Sequence, residues 1–355
     1  MKVTVVRDPD KRLFTYSSAQ ATAARANAGK RVADLQFVTR PVDAPASVGI
    51  GELSLRDLTD FWENPSKFFC RRVLRLSLEG SGSDGADDEL FGVDAMTEGL
   101  VKSRMLSASL AGTRDSTREL RRFLADGSLP PGEIGASWYN ALSTKVAAVL
   151  ALIPQDIPAR SAIIEIERDG WRMKGRLDGI RGDVRFMVRA GNLRAEHRIK
   201  AWVEHVAMCA ARESGIAGLP STTVLMGKEG MKGAERIGPV PKALDALASL
   251  VTGLLAGHTS PAPFFPQAGW AWFAASRSAP KKKGGKKSEP KDPVAMAKAA
   301  FEKESTPWSS MGGDNEDPYI ALSFRGDDPM ESRYAEFERL TSVLFNAWPS
   351  AGDIE

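Results

Sequence analysis

Residues 172–191 read RMKGRLDGIRGDVRFMVRAG, and the alternation in this stretch decides how the rest of the chain is read. Trp171, Met173, Gly175 and Leu177 alternate with Arg172, Lys174 and Arg176. After the Gly182-Asp183 turn, Val184, Phe186 and Val188 alternate with Arg185, Met187 and Arg189. Period-two alternation bounded by Gly and Asp predicts paired strands, each with one face buried. Side chains two apart on a strand share a face. Arg172, Lys174, Arg176 and Asp178 are therefore expected on one face, joined there by Arg185, Met187 and Arg189 from the neighbouring strand.

Working outward, the spacing predicts three consecutive strands over 161–167, 171–177 and 183–189. A helix over 195–212 follows, with Ile199, Trp202, Val203 and Val206 on one face, and STTVLM from Ser221 supplies a fourth strand. Upstream, Ser54 and Asp57 form a capping box ahead of Leu55, Leu58 and Trp62 at helical spacing. Asn64-Pro65 stops that helix and lets Pro65 open the next. Phe68, Phe69, Val73 and Leu76 then make an apolar stripe, so these aromatics are read as packing anchors. Further helices are expected near 94–110, 115–125 and 138–152, another through Leu244 to Leu254 that stops at Gly257, and a last one from Asp328-Pro329. The fold class is α/β (α+β), with a three-stranded meander, then a helix, then a strand, flanked by helices.

The hairpin resembles the PD-(D/E)XK nuclease superfamily in the version carried by DNA-end-processing proteins. That superfamily places an Asp at the end of one strand in a Gly-Arg-hydrophobic-Asp context, and an Asp-x-Lys before a small residue and Gly on the next. GRLDGI supplies the first element, with Asp178 in the metal-ligand position; FMVRAG stands for the second, with Met187 replacing the carboxylate and Arg189 the lysine. The resemblance also expects a His in an early helix, where EGLVKSR offers Gly99 but Ser103. It places a Gln and a Tyr on the helix after the third strand, where Lys200 and Trp202 stand. The restriction-endonuclease-like core that this implies has helix, three strands, helix and strand in that order, which is the order reached above from periodicity.

The substitutions have a chemical consequence. Magnesium takes hard oxygen ligands, and phosphodiester hydrolysis needs the ion to activate water and stabilise the leaving oxygen. A thioether does neither. A guanidinium stays charged at any working pH and exchanges no proton with an attacking water. The expectation is a nuclease-like fold with no catalytic residue, in which Asp178 is the remnant of a metal site. Arg172, Lys174, Arg176, Arg185, Arg189 and Lys200 are the candidate contacts to DNA phosphates, which give salt-sensitive, sequence-independent affinity. The competing reading is a solvated sheet face, which charged residues favour in any protein.

Blocks outside the hairpin resemble the RecC family, the gamma subunit of exodeoxyribonuclease V (RecBCD), in its C-terminal region. They are LSLRDLTDFWENPSKFFCRRVLRL from Leu53, LPPGEIGASWYNAL from Leu129, AWVEHVAMCA from Ala201, SPAPFFPQAGWAWF from Ser260, and the opening RLFTYSS. No single block is diagnostic, but their order and spacing together are specific to that region. The resemblance implies RecB-like and RecD-like partner subunits and DNA, as a duplex end or an unwound single strand. A RecC subunit is much longer than this chain. The chain is either a piece of such a protein or a naturally short relative, and its start inside a family segment favours a piece.

Composition narrows the classes. With 355 residues and 43% hydrophobic content the chain can bury a substantial core. A net charge of +3 makes any nucleic-acid-binding charge local. Cys70 and Cys209 sit in apolar helical contexts and read as reduced core residues. His197, His205 and His258 lack zinc-like companions; the first two are eight apart, too far for one site on a helix. No apolar run approaches 20 residues and no signal peptide is evident, so the expected location is cytoplasmic, away from membranes. No cofactor is expected, and with no Walker motif ATP hydrolysis falls to partners.

The expected organisation is an arm or remnant of a preceding domain at 1–50, with a strand-like MKVTVV. The nuclease-like domain follows at 51–275 and includes an acidic loop at 81–89. A Lys/Gly/Pro-rich and acidic linker covers 276–317, and a C-terminal helical segment 318–355. The leading expectation is a non-catalytic DNA-handling and assembly region. The alternatives are a protein-interaction scaffold that never meets DNA, and a nuclease with migrated ligands, in which Asp178 pairs with Glu165, Glu167 or Asp183 and Lys174 or Lys200 supplies the lysine.

Overall fold

The computed structural model describes residues 36–42, 51–78, 92–110, 115–154, 156–228, 233–277, 282–283, 286–287, 291–305 and 312–348, with isolated positions before residue 26. The strand expected at MKVTVV and the acidic loop at 81–89 lie outside these residues.

A mixed sheet organises the chain. Its strands are β1 (Glu52–Ser54), β2 (Arg160–Arg168), β3 (Trp171–Arg181), β4 (Val184–Val188), β5 (Thr222–Met226) and β6 (Glu235–Ile237). β3 pairs antiparallel with β2 along its whole length. Its other edge takes β1 in parallel at one end and β4 antiparallel at the other. β4 then pairs in parallel with β5, and β5 antiparallel with β6. The three-strand meander and the later strand are therefore where the alternation placed them. β1 and β6 are additions that three-residue segments could not signal.

The helices are α1 (Leu55–Glu63), α2 (Pro65–Phe68), α3 (Ala95–Leu110), α4 (Ser116–Ala125), α5 (Gly132–Leu150), α6 (Ala195–Glu213), α7 (Ala243–Ala256), α8 (Pro266–Ser276), α9 (Pro293–Phe301), α10 (Pro318–Ser323), α11 (Pro329–Ser332) and α12 (Tyr334–Phe345). α1 starts as its capping box predicts: Ser54 Oγ accepts from Asp57 N–H at 2.9 Å and donates to Asp57 Oδ2 at 2.8 Å. Asn64 Oδ1 accepts from Lys67 N–H, with Pro65 at the first helical position. α5 begins six residues earlier than expected, straight after Pro130-Pro131.

One face of the sheet carries the main core. Leu58, Phe61 and Trp62 from α1, Ile199, Trp202 and Val206 from α6, and Leu247, Leu250 and Leu254 from α7 pack on Met173, Leu177 and Ile180 of β3. Trp62 Nε1 donates to the Leu250 carbonyl and Trp202 Nε1 to that of Leu344. Trp202 is thus a core anchor, and Cys70 and Cys209 are buried as free thiols. Among the described residues, the other face is covered over β4 and β5. There Val184, Phe186, Val188, Val224 and Met226 meet Leu110, Leu150 and Ile153 at the ends of α3 and α5. Covered on both faces, β5 is buried at every position.

The linker expected over 276–317 is interrupted by structure. α9 lies within it and buries Ala297 and Phe301 against Phe265 and Ala268. Phe265 sits among the rings of Phe301, Phe324 and Phe337. The helix expected from Asp328-Pro329 is two helices, α11 and α12, and α12 places Leu340, Leu344 and Phe345 in the main core. None of the described helices is long and apolar enough to cross a membrane.

Candidate nucleic-acid interface

The expectation that cations from β3 and β4 share one face is corrected by a single residue. β2 passes from Ala162, opposite Leu177, to Arg160, opposite Ile180, so two β3 residues fall where β2 has one. This bulge lies at Asp178-Gly179, and Gly179 holds φ +81°, a conformation that glycine adopts without strain. The bulge reverses parity. Leu177 and Ile180, three apart, both point into the core.

Arg172, Lys174, Arg176 and Asp178 consequently stand on the uncovered outer face, where all four are exposed. Acidic groups match the cations there. Arg172 donates to Glu167 and lies 3.5 Å from Glu165. Lys174 reaches Glu52 at 3.1 Å and Glu165 at 3.7 Å. Arg176 Nε donates to Asp178 at 2.7 Å, and Ser161 Oγ donates to the same carboxylate at 2.6 Å. Burial alone would raise the Asp178 pKa, but these two hydrogen bonds and the positive charges of Arg176 and Arg185 hold it below the usual carboxylate value. The ladder is an alternating ionic surface, with Glu167 opposite Arg172 and Glu165 opposite Lys174 in register.

The β4 residues turn the other way. Arg185 is buried and donates to Glu204 on α6 and, through Nε, to the Asp178 carbonyl at 3.0 Å. Met187 packs on the main core. Arg189 lies just past the strand, where its own N–H bonds the Met226 carbonyl and burial beside Arg194 depresses its pKa. Lys200 is half-buried on α6 and interacts with Glu63 at the end of α1. Burial pushes the Glu63 carboxyl up to about 7, against the pull of Lys200. Ser103 is exposed on α3, with Gly99 one turn earlier.

The structure therefore divides the predicted site in two. Arg172, Lys174, Arg176 and Asp178 form an outer group, while Arg185, Met187, Arg189 and Lys200 face α6 and α1. A divalent cation does not fit this donor set. Asp178 is committed to Ser161 and Arg176 on one face, a thioether and an ion-paired guanidinium occupy the other, and among the described residues no three His, Cys, Asp or Glu side chains converge.

Both histidines of α6 are structural. His197 Nδ1 accepts from Arg194 N–H at 3.0 Å, closing the first turn. Burial and the surrounding Arg189, Arg194, Arg198 and Lys200 hold its pKa down to about 3, which keeps that acceptor neutral. His205 is buried and spans Thr223 Oγ1 and the Gly238 carbonyl at 2.8 and 2.7 Å, with burial holding it near 4. A carbonyl only accepts, so Nε2 carries the proton.

Sequence reasoning missed one basic region. Arg194, Arg198, Lys228 and Lys303 line a cleft beside the N-terminus of α6. Its members come from three loops or helix ends far apart in the chain. The only local signal was a basic residue ahead of an amphipathic helix, which is common on any surface.

Comparison with known proteins places these features in a family. A family model described as RecC C-terminal domain matches residues 50–277. The RecBCD enzyme subunit RecC of Mycobacterium tuberculosis is 29% identical over 273 residues, which is 74% of this chain and 24% of that protein. The RecBCD enzyme subunit RecC of Escherichia coli K12 is 26% identical over 222 residues, 62% of this chain and 19% of that protein. A third, from Buchnera aphidicola of Acyrthosiphon pisum, is 20% identical over 156 residues, 44% of this chain and 14% of that protein. The chain spans at most a quarter of the length of these curated relatives.

Proposed function

This chain belongs to the RecC C-terminal domain family, and we propose that it is a non-catalytic DNA-handling and assembly region of a RecBCD-type helicase-nuclease complex acting in DNA repair. RecB-like and RecD-like subunits are its partners, and they supply ATP hydrolysis and strand cleavage. The order of helix, three-strand meander, helix and strand supports a restriction-endonuclease-like ancestry for the core.

The observation that carries the non-catalytic reading is the parting of Asp178 from Met187 and Arg189. The bulge at Gly179 turns the one retained carboxylate outward, to Ser161 and Arg176. On the inner side Arg185 and Glu204 neutralise each other. Hydrolysis would need a metal held by converging hard ligands and a group that handles the proton of the attacking water. Glu165, Glu167 and Lys174 share the outer face with Asp178 but are paired with one another or with Arg172. No three such acids converge among the described residues, so the work we assign to the site is binding.

A second reading, a protein-docking scaffold, draws support from the outer face. Its cations are matched one by one by acids, and Ile163 stands there 79% exposed. Such a surface suits a partner subunit better than a phosphate backbone.

Anisotropy of a labelled forked DNA against the purified chain, across a salt series, separates the two. Binding that weakens steeply with salt supports DNA handling. Failure to bind at low salt, with retained capture of a RecB-like subunit, selects the scaffold.

A further inference from the structure

Arg172, Lys174 and Arg176 are matched by acids, whereas a cluster of exposed cations elsewhere forms no ion pair among the described residues. Arg194, Lys228 and Lys303 line one cleft of about 590 Å3, together with Arg198, Trp270 and Gln267. Arg198 grips Glu235 through Nε at 2.8 and 2.9 Å and holds its guanidinium 5.0 Å from the Trp270 ring centre. It is thus a fixed wall, while Arg194, Lys228 and Lys303 are exposed and form no ion pair among the described residues. Among the described residues, Glu196 is the one carboxylate that also lines the cleft.

The position is dictated by topology. β4 and β5 run parallel, and the cleft lies outside their carboxyl ends, where the loop after β4 leads into α6. Two backbone bonds join these exits: Arg189 N–H to the Met226 carbonyl at 2.9 Å and Lys228 N–H to the Gly191 carbonyl at 2.8 Å. Crevices outside the carboxyl ends of parallel strands are the usual ligand sites of α/β sheets. The three exposed cations make this crevice selective for anions, and the amino end of α6 favours the same charge. A volume in this range suits about one or two nucleotides of a strand. Cations tracking a backbone beside an aromatic wall are how single strands are held without sequence preference.

We propose that the cleft between the amino end of α6, the exit of β5 and the helices α8 and α9 binds the phosphodiester backbone of a single-stranded nucleic acid, through Arg194, Lys228 and Lys303. The proposal rests on the DNA-handling reading and moves its contact away from the β3 face.

The test uses the full 355-residue chain and a fluorescein-labelled oligothymidylate, titrated by anisotropy over a salt series. The variants are Arg194→Ala, Lys228→Ala, Lys303→Ala, their triple combination, and an outer-face control, Arg172→Ala with Lys174→Ala. Circular dichroism and thermal melts confirm that each folds. Each single change in the cleft is expected to lower the log–log salt slope by about 0.7. The triple variant should lose at least tenfold in affinity at low salt, while the control binds as the parent does. Parent-like binding by the triple variant overturns the cleft while leaving DNA handling in place. Loss of binding in the control alone returns the contact to the β3 face. Polyglutamate that displaces the oligonucleotide at equal charge concentration also overturns the proposal, in favour of an acidic peptide. No binding by the parent chain overturns the DNA-handling reading and the cleft with it.

Discussion

Arg185 of β4 and Glu204 of α6 form an ion pair buried between sheet and helix, with 5% and 13% of their side chains exposed. The pair ties the third strand of the meander to the helix that follows it. Removing one partner leaves a buried charge alone, which costs about 3–5 kcal/mol. Arg185→Ala should therefore lower stability by that order in urea unfolding, with the Asp178 carbonyl losing its donor as well. Replacing both, as Arg185→Met with Glu204→Leu, should cost much less. Equal losses in the single and double variants would show that the pair is not a unit.

The outer ladder should behave oppositely. Exposed ion pairs contribute little to stability, because water and salt screen them. Arg172→Ala and Lys174→Ala are each expected to leave the urea midpoint close to that of the parent, measured by the same unfolding curves. A larger loss would mean that this face is covered in the folded chain.

Gly179 fixes the parity on which the division of the site depends. A side chain there meets the Phe186 carbonyl oxygen and must adopt φ +81°. Gly179→Ala should destabilise by about 1–3 kcal/mol. A neutral effect on the melting temperature would argue against the bulge.

Of the groups that burial shifts, His197 and Glu63 make stability depend on pH with opposite signs. His197 is held near 3 in the folded chain, below its ordinary 6.5. As pH falls from about 6.5 toward 3, the unfolded chain takes up a proton that the folded chain refuses, so stability is lost in that window. His197→Gln keeps an acceptor for Arg194 N–H and should flatten this loss. Glu63 is raised to about 7 from 4.5, so the folded chain holds the extra proton and stability falls as pH rises between those values. Glu63→Gln should remove its share of that fall, with Asp314, also raised to about 7, contributing the rest. Urea midpoints at pH 5 and pH 8 check both, and parallel curves for parent and variants would refute the assignments.

Much of the fold was legible because its signals are local. Ser54 with Asp57, Asn64 with Pro65, and the alternation of Trp171 to Leu177 each act within a few residues, and each stands where it was read. The site was less legible because its determinants are not local. Nothing near Arg185 announces Glu204, 19 residues on. The cap that Asp314 gives to α8, accepting from Ala268 N–H at 2.8 Å, joins segments 46 residues apart. Burial pushes that carboxyl up to about 7, another group no local pattern marks. The bulge mattered most. Gly179 carries no signal of its own in the alternation, yet it reverses the face of every residue beyond it. Parity counted straight through the strand therefore merged two groups of cations that the fold keeps apart.

The central claim is that this fold binds DNA and does not cut it. The direct measurement incubates the chain with labelled forked DNA and magnesium or manganese, then resolves the strands on a denaturing gel beside an Asp178→Ala variant. Intact strands are expected with both proteins and both metals. Metal-dependent cleavage by the parent that disappears in Asp178→Ala would contradict it and restore Asp178 to a working metal site.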